Sequence, residues 1–498
     1  MKRSRNSVSA ESEPAKLQEA PKTATRRAPL ERTRKPAFVR NPRGPRAKLD
    51  EVYAEAKRVD ASSRIVNQSP GRHPSVESRF QIGAIVSRRA ADRLRAGSVW
   101  IYASDVESLE LPKGRDAAPP ALLPVADGRG LLLGTALYSP TSQIALRLVS
   151  REALDEAGWL ELLAVRLRHA VERRKAMLAG LIGGETDSCR LCFSEADELP
   201  GLVVDKYGGL VVLQLLVKGL DSAAVRNVCV SVLREELNPA AILERPDPRM
   251  RELEGLAAPG ADPLYTRKDG RREDTADTGS TQFRLNGLLF QFDANAGQKT
   301  GAFLDQRENY RAAQRWAEQL GATVRVLDVC CYQGGFALHL AQIAKQVTGV
   351  DASRASLQVA ERNLEANRGR ITAEVDWVEA DAFELLRDWS NGRESFDTIV
   401  LDPPAFAKSK RAVEGALRGY KELNLRALKM VRSGGLLVTC SCSHHLGWAE
   451  LEGSVASAAA DAGRRVRLLE RRGAALDHPV VLTLPETEYL KCLVLEVE

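Results

Sequence analysis

Four short apolar runs in the second half of the chain each end on a carboxylate: Val-Arg-Val-Leu-Asp328, Val-Thr-Gly-Val-Asp351, Val-Asp-Trp-Val-Glu-Ala-Asp381 and Thr-Ile-Val-Leu-Asp402. Each run is followed by a helix-like stretch, which is how buried parallel strands read in an α/β sheet. Ligands of such sheets bind just outside the carboxyl ends of the strands. The four carboxylates are therefore expected to line one crevice, and the chain reads as an enzyme with a nucleoside-bearing cofactor there. Taken singly, each aspartate is more often a helix cap than a ligand. Their shared register points to a site.

A chain of 498 residues exceeds one hydrophobic core, and its length predicts about three domains. No apolar run approaches the roughly 20 residues of a membrane span, and no apolar segment follows the basic N-terminus as in a secretory signal. A cytoplasmic protein with no membrane association is expected. The eight cysteines, among them Cys330-Cys331 and Cys440-Ser441-Cys442, do not suggest a disulfide framework; reduced thiols fit better. The net charge of +6 is unevenly placed, because residues 1–50 hold fourteen Lys or Arg against five Asp or Glu. That segment is expected to be disordered. It reads as an idle solvated tail, a phosphate-binding arm or an organelle transit peptide.

The division expected is a basic tail and linker over 1–78, a small β module over 79–150, a central α+β domain over 151–284, and an α/β domain over 285–498. In the β module, Phe80 to Val86, Val99 to Tyr102, Leu131 to Tyr138 and Ile144 to Val149 read as strands, with a small helix from Ala90 to Ala96. Leu202 to Asp205 and Leu210 to Leu216 flank a hairpin turn, and a helix follows from Ser222 to Leu237. Asp262 to Ser280 reads as a polar loop. Further on, crossover helices are expected over Gly335 to Lys345, Ser353 to Asn367 with Ser353 as cap, and Ala382 to Trp389. A long helix over Gly415 to Val431 is expected to stop at Ser433-Gly434-Gly435, and Val480 to Leu484 with Leu490 to Val497 reads as a closing hairpin.

After the first run comes Asp328-Val-Cys-Cys-Tyr-Gln-Gly334-Gly335-Phe336. Glycines at a strand-to-helix turn let backbone approach a ligand and expose helix N–H groups. Asp351 follows Asp328 by 23 residues, the spacing at which a carboxylate takes ribose hydroxyls, and Asp381 suits an adenine amino group. The diphosphate fingerprint Gly-x-Gly-x-x-Gly is missing, which points to S-adenosylmethionine rather than NAD.

Several motifs together, Thr300-Gly-Ala-Phe-Leu-Asp305-Gln306-Arg307, Cys331-Tyr332-Gln-Gly334-Gly335-Phe336, Asp402-Pro403-Pro404-Ala-Phe406, Gly419-Tyr420-Lys421, Ser441-Cys442-Ser443, Asp477-His478-Pro479 and Tyr489-Leu490-Lys491, resemble the bacterial 23S rRNA (cytosine-5)-methyltransferase I family. The resemblance implies a class I methyltransferase sheet preceded by a PUA RNA-binding domain and a central α/β domain. It implies S-adenosylmethionine as cofactor and large-subunit ribosomal RNA as partner. Asp305, Gln306, Arg307, Asp328, Tyr332, Gly334, Gly335, Phe336, Asp351, Asp381, Asp402 and Pro403 are the expected cofactor residues, and Phe406, Tyr420 and Lys421 the expected substrate residues. The chain departs from the family in its basic tail and at Cys330-Cys331. Oligomeric state is left open, a homodimer included.

Carbon 5 of cytosine is not nucleophilic until a thiolate adds to carbon 6. Cys442 and Asp402 are accordingly the expected catalytic residues, with Cys442 near the end of the strand next to Asp402. Related two-cysteine enzymes place a second cysteine where this chain has Ala405, which implies a single-cysteine mechanism. Cys330, Cys331 and Cys440 read as core filling. Cys440, Cys442 and His444 lack the second spaced pair of a zinc site, Cys189-Arg-Leu-Cys192 reads as one lone pair in a loop, and no metal is expected. Phe406 reads equally as a stacking platform or as apolar packing. Two other functions stay open: a nucleobase-nitrogen methyltransferase, which shares Asp-Pro-Pro-x-Phe, and a non-catalytic RNA-binding assembly factor.

Overall fold

A computed structural model describes residues 83–112, 121–181, 185–267, 279–294, 301–392, 394–407 and 409–498. The expected tail over 1–78 and most of the expected polar loop lie outside the described residues. The first sheet is built from β1 (Gly83–Val86), α1 (Arg88–Arg95), β2 (Trp100–Ile101), β3 (Val106–Glu110), β4 (Leu122–Asp127), β5 (Leu132–Tyr138) and β6 (Leu146–Ser150), with strand order β2-β6-β5-β4-β1-β3. The Ser87 hydroxyl accepts the Ala90 N–H and starts α1, whose buried side is Ala90, Ala91 and Leu94. β3 was not expected: it carries two glutamates and no residue of it is fully buried.

The second sheet follows α2 (Glu156–Leu181) and comprises β7 (Cys189–Phe193), β8 (Leu202–Tyr207), β9 (Leu210–Leu215), α3 (Ala223–Leu237), β10 (Ala241–Glu244), α4 (Pro248–Glu254) and β11 (Tyr265–Thr266), in the order β11-β10-β9-β8-β7. Cys189 and Cys192 therefore lie in a strand rather than a loop, both buried in the core beneath α2 and α3. A separate hairpin, β12 (Ser280–Leu285) and β13 (Leu288–Asp293), replaces the single segment expected there.

The third sheet runs through α5 (Arg307–Gln319), β14 (Arg325–Val329), α6 (Gly335–Leu340), β15 (Gln346–Asp351), α7 (Arg354–Ala366), β16 (Glu374–Glu379), α8 (Ala382–Asn391), β17 (Phe396–Leu401), α9 (Val413–Met430), β18 (Val431–Ser441), α10 (Trp448–Ala462), β19 (Val466–Arg472) and β20 (Lys491–Val497). Its order is β16-β15-β14-β17-β18-β20-β19, parallel from β16 to β18, with β20 antiparallel between β18 and β19. This is the class I methyltransferase sheet, and its order reverses between β14 and β17, where ligands of doubly wound sheets bind. Apolar cores pack on both faces of the sheet, which is why its strands read as continuous apolar runs.

Two expectations about the end of the chain are corrected. β20 pairs with β18 and β19, not with Val480 to Leu484, where Leu482 is 93% exposed and a single bridge joins Val481 to Leu484. α9 does not stop at Ser433-Gly434-Gly435; Val431 ends it by turning directly into β18. Among the described residues no helix is long and apolar enough to cross a membrane.

Candidate active site

At the carboxyl ends of β14, β15 and β17 opens a cavity of about 440 Å³, within the size range of cofactor sites. Three of the four strand-end aspartates reach it. Asp351 closes β15, and its two oxygens accept the N–H groups of Tyr332 and Ser353, each at 2.9 Å. Asp381 caps α8, Oδ1 accepting the Phe383 and Glu384 N–H groups at 2.9 and 3.0 Å. Asp402 follows β17, and its Oδ2 accepts the Gln306 amide at 3.0 Å. An oxygen with one backbone donor keeps a lone pair for a ligand hydroxyl or amine, so capping and ligand binding are compatible for the same carboxylate.

The remaining walls come from the loops. Asp305 and Gln306 enter on the short turn before α5; Asp305 accepts the Tyr489 hydroxyl, and Gln306 is oriented by the Asn309 amide at 2.7 Å. Cys330 and Tyr332 both have left-handed backbone, φ +62° and +50°, a conformation that non-glycine residues keep only where surrounding structure enforces it. Here Asp351 enforces it at Tyr332, whose hydroxyl also donates to the Gly301 carbonyl at 3.2 Å. At Gly335 a Cβ would meet the Tyr310 ring at 2.5 Å. That glycine allows α6 to start against α5.

Of the residues expected at the site, Asp305, Gln306, Tyr332, Gly335, Phe336, Asp351, Asp381, Asp402, Pro403, Phe406 and Cys442 line this one cavity. Five others do not, and the reason differs for each. Asp328 lies within β14, fully buried, and its Oδ2 accepts the Ala337 N–H at 2.8 Å, tying α6 to the sheet. Burial pushes its carboxyl well above the usual range. Arg307 makes a two-pronged pair with Asp477 at 2.9 and 3.1 Å and is buried. Gly334 is the left-handed N-cap of α6, at φ +86°, and shapes the turn without facing the cavity. Tyr420 is buried, with its hydroxyl among those of Ser441 and Ser443 at 2.8 and 3.1 Å. Lys421 pairs with Asp461 of α10 at 2.7 Å.

The cysteines separate sharply. Cys440 is fully buried beside Cys492, its register partner on β20, and burial pushes its thiol well above the ordinary range. Cys330 and Cys331, expected to fill the core, also line the cavity. Burial and the nearby carboxylates of Asp351 and Asp328 push both thiols up, so they stay protonated. Cys442 lies just beyond the end of β18, partly exposed to the cavity beside Pro403, whose carbonyl is 4.0 Å from its sulfur.

Sequence reasoning missed Phe303, Tyr310, Ser353, Phe383 and Leu490, which also line the cavity. Ser353 and Phe383 each stand two residues past a strand-end aspartate, and Tyr310 stands one helical turn from Gln306; position alone would have found them. Phe406 packs at 4.9 Å from the Tyr420 ring and 5.8 Å from Phe383 while keeping an edge on the cavity. The packing is shown, and the ring also lines the cavity.

Residues 275–481 match the S-adenosylmethionine-dependent methyltransferase family and residues 84–151 the PUA-like domain family. The chain is similar to proteins named ribosomal RNA large subunit methyltransferase I from Tolumonas auensis (36% identical, 79% of this chain and 94% of the relative), Shewanella amazonensis (37%, 80% and 95%) and Citrobacter koseri (34%, 79% and 93%). It shares its fold with a protein crystallised in complex with SAH, at a TM-score of 0.67 and 18% identity over 83% of this chain and 99% of the other. A protein structure from Streptococcus mutans aligns equally well, at 0.67 and 19% identity over the same shares.

Proposed function

The chain belongs to the ribosomal RNA large subunit methyltransferase I family, and we propose that it methylates carbon 5 of a cytosine in large-subunit ribosomal RNA with Cys442 as covalent nucleophile. S-adenosylmethionine is the cofactor, and when bound it supplies the electrophilic methyl group. The residues at hand fit it: Asp351 offers its carboxylate to a ribose diol, Asp381 to an adenine amine, and Phe383, Ala352 and Phe303 give apolar walls for a base.

The observation that carries the reading is that Cys442 lies in the cavity just past the end of β18, its sulfur against the Pro403 carbonyl, with Asp402 lining the same cavity. Its thiolate adds to carbon 6 of the base, and the electrons of the carbon 5–carbon 6 double bond make carbon 5 the nucleophile. Asp402, fixed by Gln306, is the group available to hold ring nitrogen 3 during that addition. Once carbon 5 carries the methyl group, loss of its proton restores the double bond and expels the sulfur as thiolate. Phe406 offers a ring to a flipped base, an interaction worth about 1–3 kcal/mol. Action on ribosomal RNA supports a cytoplasmic location.

Bisulfite sequencing of ribosomal RNA tests this in cells lacking the gene and complemented with wild type or Cys442→Ala. One protected cytosine should depend on the wild-type gene and be missing with Cys442→Ala. If Cys442→Ala restores the modification in full, nitrogen methylation, which needs no thiol, becomes the better reading.

A further inference from the structure

Lys491, the first residue of β20, is only 2% exposed. Its ammonium donates to the carbonyl of Ser443 at 3.2 Å and to that of Tyr489 at 3.1 Å. An ammonium has three N–H donors, and among the described residues no carboxylate lies within ion-pair distance of it. Burying a cation against two neutral carbonyls costs desolvation that the contacts do not fully offset. A hydrophobic residue would fill the place more cheaply. The Ser443 carbonyl it holds belongs to the residue after Cys442.

We propose that Lys491 is the positioning residue of the nucleophile: it clamps the chain after Cys442 to β20 and sets a positive charge beside the sulfur that favours the thiolate. The other side of the same segment is held by hydroxyls. Tyr420 of α9 meets Ser441 and Ser443, and the Ser443 hydroxyl accepts the Ala407 N–H at 3.2 Å. Cys442 is thus fixed from both flanks, by a neutral network on one and a charge on the other. The groups facing Lys491 are Glu488 just before β20, Glu450 in the first turn of α10, and Cys442 itself. Burial pulls the ammonium's pKa down, and those three groups push it back up. Around Cys442 stand the hydroxyls of Tyr420 and Tyr489, the latter backed by Asp305 and Arg190, and the Asp402 carboxylate lines the same cavity and opposes the thiolate. Lys491 is the cation whose own hydrogen bonds reach the segment carrying the sulfur, whereas Arg190 is engaged by both oxygens of Asp205 at 2.9 and 2.8 Å.

The inference rests on Cys442 being the nucleophile, but its test does not need turnover. The rate of iodoacetamide alkylation at Cys442, followed by peptide mass spectrometry as a function of pH, reports the thiolate directly. Lys491→Gln keeps amide donors for the two carbonyls and removes the charge. Its alkylation midpoint should rise by about one pH unit or more, a loss of at least about tenfold in thiolate at neutral pH, while calorimetry shows cofactor affinity unchanged. Lys491→Arg should keep the wild-type midpoint. A midpoint unmoved in folded Lys491→Gln overturns the proposal. If that variant does not fold, the wild-type profile decides alone: a midpoint at or above that of an ordinary thiol, about 8.5, overturns it, and one clearly below supports it. Absence of any RNA adduct on wild-type protein would instead sink the nucleophile assignment, leaving the alkylation result to stand or fall separately.

Discussion

His339 is fully buried on α6 with both ring nitrogens engaged: Nδ1 meets the Gly335 carbonyl at 2.7 Å and Nε2 meets the Asn286 amide at 3.1 Å. Those partners fit a neutral ring that donates from Nδ1 and accepts at Nε2. Burial pushes its pKa down to about 4. The unfolded chain therefore takes up this proton first, so the stability is whole above about pH 6.5 and is lost as pH falls toward 4, by up to about 3 kcal/mol. Denaturant titrations at pH 7 and 4.5 should show that loss in wild type and a clearly smaller one in His339→Phe; equal losses would assign the acid sensitivity elsewhere. The same scale shows where residue patterns mislead. Asp351 and Asp381 were legible because a carboxylate at a strand end faces the crevice. Asp328 carries the same signature but sits one residue inside β14, and a run of apolar letters cannot show which residue ends the ladder. Tyr420 and Lys491 were visible as motif letters, yet only the fold shows that both converge on the segment around Cys442.

At the scale of elements, the junctions between strand and helix carry the site. Asp381 caps α8 while lining the cavity, so Asp381→Ala removes two things at once. Loss of the cap should cost about 1 kcal/mol of stability, and calorimetry should show weaker S-adenosylmethionine binding; Asp381→Asn, which can still cap, should recover the stability but not the affinity. An unchanged affinity in both would remove Asp381 from the cofactor site. Gly335→Ala should be worse, because its Cβ must displace the Tyr310 ring on α5. Overpacking of this kind costs about 1–3 kcal/mol, and cofactor affinity should fall with it. The elements most legible in sequence were those buried on both faces, such as β17 and β18. Those that escaped have one-sided or polar faces: β19 reads Val-Arg-Leu-Leu-Glu-Arg-Arg, with Arg467 paired to Glu496, Arg471 to Glu452 and Arg472 to Glu470. The apolar run of Val480 to Leu484 looked more strand-like and is a loop bounded by Pro479 and Pro485.

At the scale of the molecule, three architectures on one chain suit a methyltransferase that must hold a large RNA while it works on one base. Residues 1–50, with fourteen basic against five acidic residues, add charge that the rest of the chain lacks. Deleting them should weaken RNA binding without sequence preference and lower the slope of log affinity against log salt by about two or more; an unchanged slope would leave no case for an RNA-binding arm. The central claim is narrower, namely that Cys442 and no other cysteine adds to the base. RNA substituted with 5-fluorocytosine keeps the adduct from resolving, because fluorine replaces the proton that must leave carbon 5. Incubated with S-adenosylmethionine and run on a denaturing gel, wild type and Cys440→Ala should each give a covalent protein–RNA band, and Cys442→Ala none. A band that persists in Cys442→Ala and disappears in Cys440→Ala would contradict the account.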